Sequence, residues 1–392
     1  MKICVVTSTR ADFGLLSGLM HRLEDSEDMV LQVVVTGSHL LQDFGDTLRE
    51  VEDAGFVVSW KVHAISHALT GADMSKQVGM GVVGFTEGFL ALSPDVVVIL
   101  GDRYEMLSAA IASFFLGVPI LHIHGGEVTE GALDDGIRHS ISKFSRVHAV
   151  AAQDYADRLI RAGESPEFVH VVGGLGVDEI QRVELLTKAN LEAELGISLS
   201  GISFLVTYHP VTAGAHHSLE EMSHLTRALD SFPEATVVFT MPNADPEHQV
   251  IWDEIRKAVD AHGESWKFFA SLGQQKYLSL AAAVSAVVGN SSSGLTEVPS
   301  LKTPTVNIGP RQKGRLQAVS VINCSPVKEE IRDALHRAIS PTFEKKVRRT
   351  ENPYGEAGAT EKIVKMLRNI NFKNLGPKVY YDLPSIQGSQ MS

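Results

Sequence analysis

Cysteine is scarce in this chain: two in 392 residues, Cys4 and Cys324, with no CxxC spacing. That leaves no material for a disulfide framework, and two free thiols suit a reducing compartment, so the cytoplasm is the expected location. Basic charge is also in short supply. Lys and Arg number 35 against 47 Asp and Glu, for a net charge of −12. A chain this acidic lacks the basic patch that nucleic acid or an anionic membrane requires. A small anionic ligand stays open, because a few Arg side chains and helix N-termini make a local positive site. No apolar run approaches the roughly 18–20 residues needed to span a bilayer. The opening MKICVVTSTRADFG reads as a short strand and turn, not as a secretory leader. There is no GxxxxGK[ST] loop and no GxGxxG followed by a suitably placed acid, which argues against an ATPase loop and an NAD fingerprint.

What is present is the material of a globular protein, with 44% hydrophobic and 21% charged residues. The length favours two domains of about 150–200 residues. In the first half, Lys2–Thr7, Leu31–Thr36, Asp95–Leu100, Pro119–His124, Val147–Ala152 and Phe168–Val172 are short apolar runs bounded by Gly, Pro or Ser. Such runs suit parallel strands covered on both faces. Helical patterns alternate with them at Asp12–Glu24, Tyr104–Leu116, Asp134–Phe144 and Tyr155–Ala162, giving a doubly wound α/β domain.

After a junction at Gly173–Ser200 the pattern restarts. Strands are expected at Ser203–Tyr208, Ala235–Thr240, Trp266–Ala270, Ala286–Gly289, Thr305–Ile308 and Ala318–Ile322. Helices are expected near Leu219–Asp230, Pro246–Ala261, Gln275–Ala283 and Lys328–Ala338. The expected domains are residues 1–175 and 176–370, facing a cleft, with a last helix near Gly358–Ile370 and a polar tail at 371–392. Ligands of such sheets bind at the C-terminal ends of the strands.

Those strand ends are where the polar residues gather. TSTRADFG puts Arg10 in the turn after the first strand, where a phosphate would lie, and Asp12 at an expected helix N-cap. TGSHLLQDFG offers His39 and Asp43. LGDRYE places Asp102 and Arg103 at the end of a fully apolar strand, an expensive position unless the charges are paired or used. The densest cluster is HIHGGEVTEGALDDGIRHSISK, with His122, His124, Glu127, Glu130, Asp134, Asp135, Arg138 and His139. Gly125 and Gly126 let the backbone turn sharply there, and Asp134 or Asp135 is an expected N-cap. Proton abstraction from carbon needs carboxylates or His whose pKa values are pushed apart, which this loop can supply. It lacks the tight ligand spacing of a zinc site, so no metal is expected.

In the second half, YHPVT places His209 directly after a strand. GNSSSGLTEVPSLK opens a helix with Ser291, Ser292 and Ser293, whose N–H groups suit a diphosphate. Glu297 follows about a turn later, positioned to accept from ribose hydroxyls, and the basic loop RQKGR begins at Arg311.

Taken together, TSTRADFG, TGSHLLQDFGDT, GDRYEMLSAAIAS, HIHGGE, IRHSISK, YHPVT, GNSSSGLTEVPSLK, NIGPRQKGR and YYDLP resemble, in this order and nearly end to end, the hydrolysing UDP-N-acetylglucosamine 2-epimerases of bacterial sialic acid synthesis. The resemblance implies two Rossmann-like domains of the glycosyltransferase-B type and C-terminal helices that cross back toward the first domain. It implies a reaction without NAD or other cofactor, in which the C2 proton and UDP leave to give a 2-acetamidoglucal. Water then adds, giving N-acetylmannosamine. UDP-2,4-diacetamido-2,4,6-trideoxyglucose is the alternative substrate, and a glycosyltransferase the rival class.

By motif, Asp102 and Asp134 match active-site carboxylates, and His209 the His near the phosphates. Ser291, Ser292 and Glu297 match the UDP-holding set, and Arg10 and Arg311 anion contacts. Arg103 and Arg138 join the substrate-binding candidates. Many relatives have Glu where this chain has His124, which leaves His124 and Glu127 as alternatives for the C2 base. A UDP-sugar and a second copy of the chain are the expected partners.

Overall fold

Near-continuous apolar runs become strands covered on both faces. VVVIL at Val96–Leu100 is buried along its whole length, and only the first residue of KICVVT at Lys2–Thr7 is exposed. The computed structural model describes residues 1–41, 47–63, 70–130, 133–210, 218–242 and 248–384. These fall into two compact units. One comprises Met1–Glu127, Gly136–Gly173 and the chain from Gly358 onward; the other comprises Val128–Asp135 and Gly174–Ala357.

The first unit holds seven strands: β1 Lys2–Thr7, β2 Val30–Val35, β3 Val58–Lys61, β4 Val96–Leu100, β5 Ile120–Ile123, β6 Val147–Val150 and β7 Val169–Val171. They pair in parallel in the order β3-β2-β1-β4-β5-β6-β7. The second unit holds β8 Ser203–Thr207, β9 Thr236–Thr240, β10 Trp266–Phe269, β11 Ala286–Gly289, β12 Thr305–Ile308 and β13 Val321–Cys324. Their parallel order is β10-β9-β8-β11-β12-β13. Each chain segment builds outward over three strands and then returns to the other side of the first. The direction therefore reverses between β1 and β4 and between β8 and β11, the places where such sheets bind ligands.

Cys4, Val6, Phe85, Phe89, Val97 and Ile99 belong to the core of the first unit; Phe204, Phe239, Trp266 and Val288 belong to that of the second. The helix Ala359–Asn369 docks on the first unit through Arg22–Glu361 (2.7 Å) and its Arg368 pairs with Asp28 (3.0 Å).

Several features depart from expectation. β3 and the 22-residue helix Gly71–Leu92 carry no clear pattern because that helix contains five glycines. Two of these are packing sites: a Cβ at Gly84 would come within 2.7 Å of Val62, and one at Gly88 within 2.7 Å of the Trp60 ring. The junction contains two helices, Leu175–Arg182 and Lys188–Leu195. The last strand starts at Val321 rather than Ala318, in register with β12 from Thr305.

Candidate active site

At the first switch point the β1 turn is organised by a buried carboxylate. Asp12 accepts from Ser8 N–H (3.1 Å), Ser8 Oγ (2.7 Å), Thr9 N–H (3.1 Å) and the Thr7 hydroxyl. Asp12 is not the N-cap: Thr9 is, and Asp12 closes a capping box from the third helical position. His39, at the end of β2, joins this knot through Thr7 Oγ1 at 3.0 Å and Thr47 Oγ1 at 3.1 Å. Burial lowers its pKa. Both residues are thus structural supports of the turn. Arg10 opens the helix Arg10–Glu24 with a half-exposed side chain 3.8 Å from Glu50. Asp43 lies outside the described residues.

One strand along, Asp102 follows β4 and accepts from the Arg138 guanidinium. The Arg138 side chain is 2% exposed while that of Asp102 keeps 20%, so the buried arginine fixes a carboxylate that still reaches solvent. Arg103 instead turns back on the buried Glu105, with two bonds of 3.1 and 3.2 Å. Arg138 comes from the helix Leu133–Phe144, and one turn on Ser142 Oγ lies 3.0 Å from His122 Nδ1. His122 Nε2 in turn lies 2.8 Å from Gly101 O, beside Asp102. Burial drives the His122 pKa to about 3, so this imidazole stays neutral.

His124 follows β5 with a φ of 64°, left-handed backbone that few non-glycine residues adopt. Its amide remains in the sheet, donating to Ala149 O at 3.1 Å. Its Nδ1 lies 3.3 Å from Oε1 of the buried Glu127. Its Nε2 is buried with no hydrogen-bond partner among the described residues. Gly126 (φ +77°) completes the turn where a Cβ would strike Tyr155 O at 2.4 Å. The two alternatives for the base are therefore one pair.

The next stretch, Val128–Asp135, belongs to the second unit. Glu130 is tied there to Lys313, by an ion pair of 2.7 Å and a main-chain bond of 3.0 Å. Asp134 and Asp135 are the second and third residues of their helix, not its N-cap. Asp134 is exposed, and Asp135 accepts from Thr129 N–H at 2.7 Å.

At the second switch point the organising residue is Asn290, which the sequence reading passed over. Fully buried, it accepts from His209 N–H at 2.7 Å and donates to His209 O at 2.8 Å. Its own carbonyl accepts from Arg311 (3.1 Å) and Gln312 (2.8 Å). His209, Arg311 and the serine turn are thus clamped to one residue. A buried amide between a Gly and a Ser run was the only signal for it. Gly289 must be glycine, since at φ +131° a Cβ would meet Thr207 O at 1.9 Å. Burial, then Arg311, holds the His209 pKa well below 6.5.

The helix opened by the serines is a single turn, Ser293–Thr296, and Ser292 at its N-cap makes no side-chain capping bond. Glu297 ends that turn, accepting from Thr296 Oγ1 at 3.1 Å. It lies so close to Gly176 that a Cβ there would come within 2.5 Å of it. Val211 and Thr212 of YHPVT are outside the described residues.

Each unit thus carries a polar cluster at the C-terminal edge of its parallel sheet: Asp102–Arg138 and His124–Glu127 in the first, His209, Asn290, the serine turn and Arg311 in the second. Among the described residues no group of three or more His, Cys, Asp or Glu is placed to hold a metal ion, and no helix is long and apolar enough to cross a membrane.

Comparison with known proteins gives these clusters a context. Residues 21–368 match the family model described as UDP-N-acetylglucosamine 2-epimerase. A Campylobacter jejuni protein named GDP/UDP-N,N'-diacetylbacillosamine 2-epimerase (hydrolyzing) is 38% identical over 97% of this chain and 99% of its own length. Polysialic acid biosynthesis protein P7 of Escherichia coli is 33% identical over 98% of each chain. Among solved structures, the UDP-GlcNAc 2-epimerase of Neisseria meningitidis bound to UDP-GlcNAc superposes with a TM-score of 0.82 at 18% identity, covering 94% of this chain and 100% of that one. At that identity the superposition speaks for the fold alone, two α/β units of the glycosyltransferase-B kind. The chain belongs to the UDP-N-acetylglucosamine 2-epimerase family.

Proposed function

We propose that this chain is a hydrolysing 2-epimerase of a UDP-activated N-acetyl amino sugar. A base takes the C2 proton as the C1–O bond breaks and UDP leaves, giving a 2-acetamidoglucal. Water then adds across the double bond, its hydroxyl to C1 and a proton to C2 from the opposite face, and the free sugar leaves inverted at C2. Ser291, Ser292, Glu297, Arg311 and neutral His209 hold the UDP. Asp102, Asp134 and the His124–Glu127 pair move the protons, while Arg138 orients Asp102. Arg10 and Arg103 are further candidates for substrate contact, Arg10 the more accessible since Arg103 turns to Glu105. No cofactor takes part.

The observation that carries this reading is the His124–Glu127 pair on a strained turn one strand from Asp102. Transfer of the sugar to an acceptor leaves C2 untouched and needs no such acid–base set.

The 38% relative favours UDP-2,4-diacetamido-2,4,6-trideoxyglucose as substrate. UDP-N-acetylglucosamine, giving N-acetylmannosamine for sialic acid, is the second reading, favoured by the relative named for polysialic acid. The proposed setting is a homo-oligomer in the cytoplasm. An oligomer is supported by an exposed apolar stripe, Met80, Val83 and Leu90, along the helix Gly71–Leu92.

Incubation with each sugar in heavy water tests the proposal. Free UDP with a free, C2-inverted sugar carrying deuterium at C2 is the expected result, and the faster substrate identifies the physiological class. An inverted sugar still attached to UDP removes the hydrolytic step; a product without deuterium at C2 removes the epimerase reading.

A further inference from the structure

Residues 375–384 form no helix or strand, yet they are held at several points. Arg146 donates to Leu375 O at 2.7 Å, Tyr381 N–H donates to Gly163 O at 2.9 Å, and the Tyr380 ring covers Gly163, where a Cβ would come within 2.2 Å of it. Between these anchors Lys378 turns inward. Its ammonium donates to Ser142 O (3.2 Å), Lys143 O (3.0 Å) and Ser145 O (2.7 Å), and pairs with the buried Glu164 at 2.6 Å.

Ser142 and Lys143 lie in the last turn of the helix Leu133–Phe144, and Ser145 follows it directly. A helix leaves its last carbonyls without internal donors, and its negative dipole end favours a cation. Lys378 satisfies both requirements from a segment far along the chain. The middle of the same helix delivers Arg138 to Asp102, and its last turn delivers Ser142 Oγ to His122. Arg138 reaches Asp102 directly, and Ser142 reaches Gly101 O through His122, both from a helix whose C-terminal end Lys378 holds.

We propose that Lys378 is a positioning residue for the reaction, setting the position of the helix that carries Arg138. The segment 375–384 is on this view part of the active-site scaffold. The inference rests on the proposed epimerase reading for its kinetic consequence but not for its structural one. Removing the Lys378 charge does not strand Glu164, which keeps Lys143 Nζ at 2.9 Å and His148 Nε2 at 3.0 Å, so the variant retains a paired buried carboxylate.

The test compares Lys378→Met with Lys378→Arg in the full chain. A displacement of about 1 Å in a catalytic group can cost up to about a hundredfold, so Lys378→Met is expected to lose about ten- to a hundredfold in kcat. KM is expected to stay within about twofold, since the UDP-holding groups are untouched. Lys378→Arg, keeping charge and donors, should restore kcat to within about threefold of wild type. Hydrogen exchange of residues 139–145 should quicken in the Met variant and not in the Arg variant. Wild-type kcat in Lys378→Met, equal losses in both variants, or unchanged exchange overturns the inference. A wild-type chain that releases UDP from neither sugar defeats the functional reading instead, and the exchange experiment still decides the role of Lys378.

Discussion

Replacing Asn290 by Ala separates scaffold from ligand contact in the second unit. The carboxamide accepts from His209 N–H at 2.7 Å and donates to His209 O at 2.8 Å, and both residues are buried. Truncation leaves that N–H and C=O without partners where water has little access. Each stranded group costs about 1–3 kcal/mol, so the variant should lose about 2–6 kcal/mol, toward the lower end where a water enters the vacated space. The main-chain bonds of residue 290 to Thr207, Arg311 and Gln312 do not involve the amide and survive. A loss of about 3 kcal/mol lowers the transition of a unit of roughly 150–250 residues by about 6–12 °C. Two of the three tryptophans, Trp252 and Trp266, are in this unit, so fluorescence-detected unfolding reports it well. UDP titration by calorimetry on the same variant should weaken, because His209 and the serine turn lose their common clamp. Unfolding within about 0.5 kcal/mol of wild type together with unchanged UDP affinity would refute this account of Asn290.

Further outcomes follow from the first unit. Asp102→Asn keeps shape and removes charge; it should lose at least about a hundredfold in turnover while binding UDP normally, as measured by steady-state kinetics and calorimetry. Glu127→Gln and His124→Gln should each slow C2 exchange at least about a hundredfold, because the two side chains form one pair; wild-type exchange in either variant takes that residue out of the proton transfer. His122 stays neutral in the fold with a pKa of about 3, whereas the unfolded chain takes up its proton near pH 6.5. The unfolded state then binds more protons below that pH, so the His122 contribution is lost as pH falls from about 6.5 toward about 3, by about 1.4 kcal/mol per unit. Urea unfolding across that window should show a slope smaller by one proton in His122→Asn, and an unchanged slope contradicts the buried neutral imidazole.

The parallel sheets were legible because burial on both faces writes itself as apolar runs such as VVVIL and KICVVT, and because polar residues collect where those runs stop. What stayed hidden was geometry carried by single atoms. The helix Gly71–Leu92 reads poorly since its glycines serve contact with Val62 and Trp60 rather than helix propensity. Asp12, a plausible cap, acts from inside its helix, and Asp134 and Asp135 sit past the cap position. Asn290 looks like a turn residue beside three serines, yet it is the buried hub. His124 and Glu127 read as rivals because a one-dimensional string cannot show a left-handed residue folding its side chain back on the third residue after it.

That left-handed residue bears most directly on what the site is for. His124 holds a φ of 64°. Such backbone disfavours an L-residue by roughly 1–2 kcal/mol, and a glycine would adopt the same turn without that strain. Two neighbouring positions of the loop are glycine already, so the backbone alone does not require histidine at 124. The strain persists because the surroundings over-determine it: the amide of His124 stays in the β5–β6 ladder, Gly126 packs under Tyr155, and Nδ1 faces Glu127. Held this way, the imidazole cannot turn freely, and its Nε2 is left buried without a hydrogen-bond partner among the described residues. On the proposed reading, a side chain held at a cost with its orientation settled ahead of the chemistry suits proton transfer.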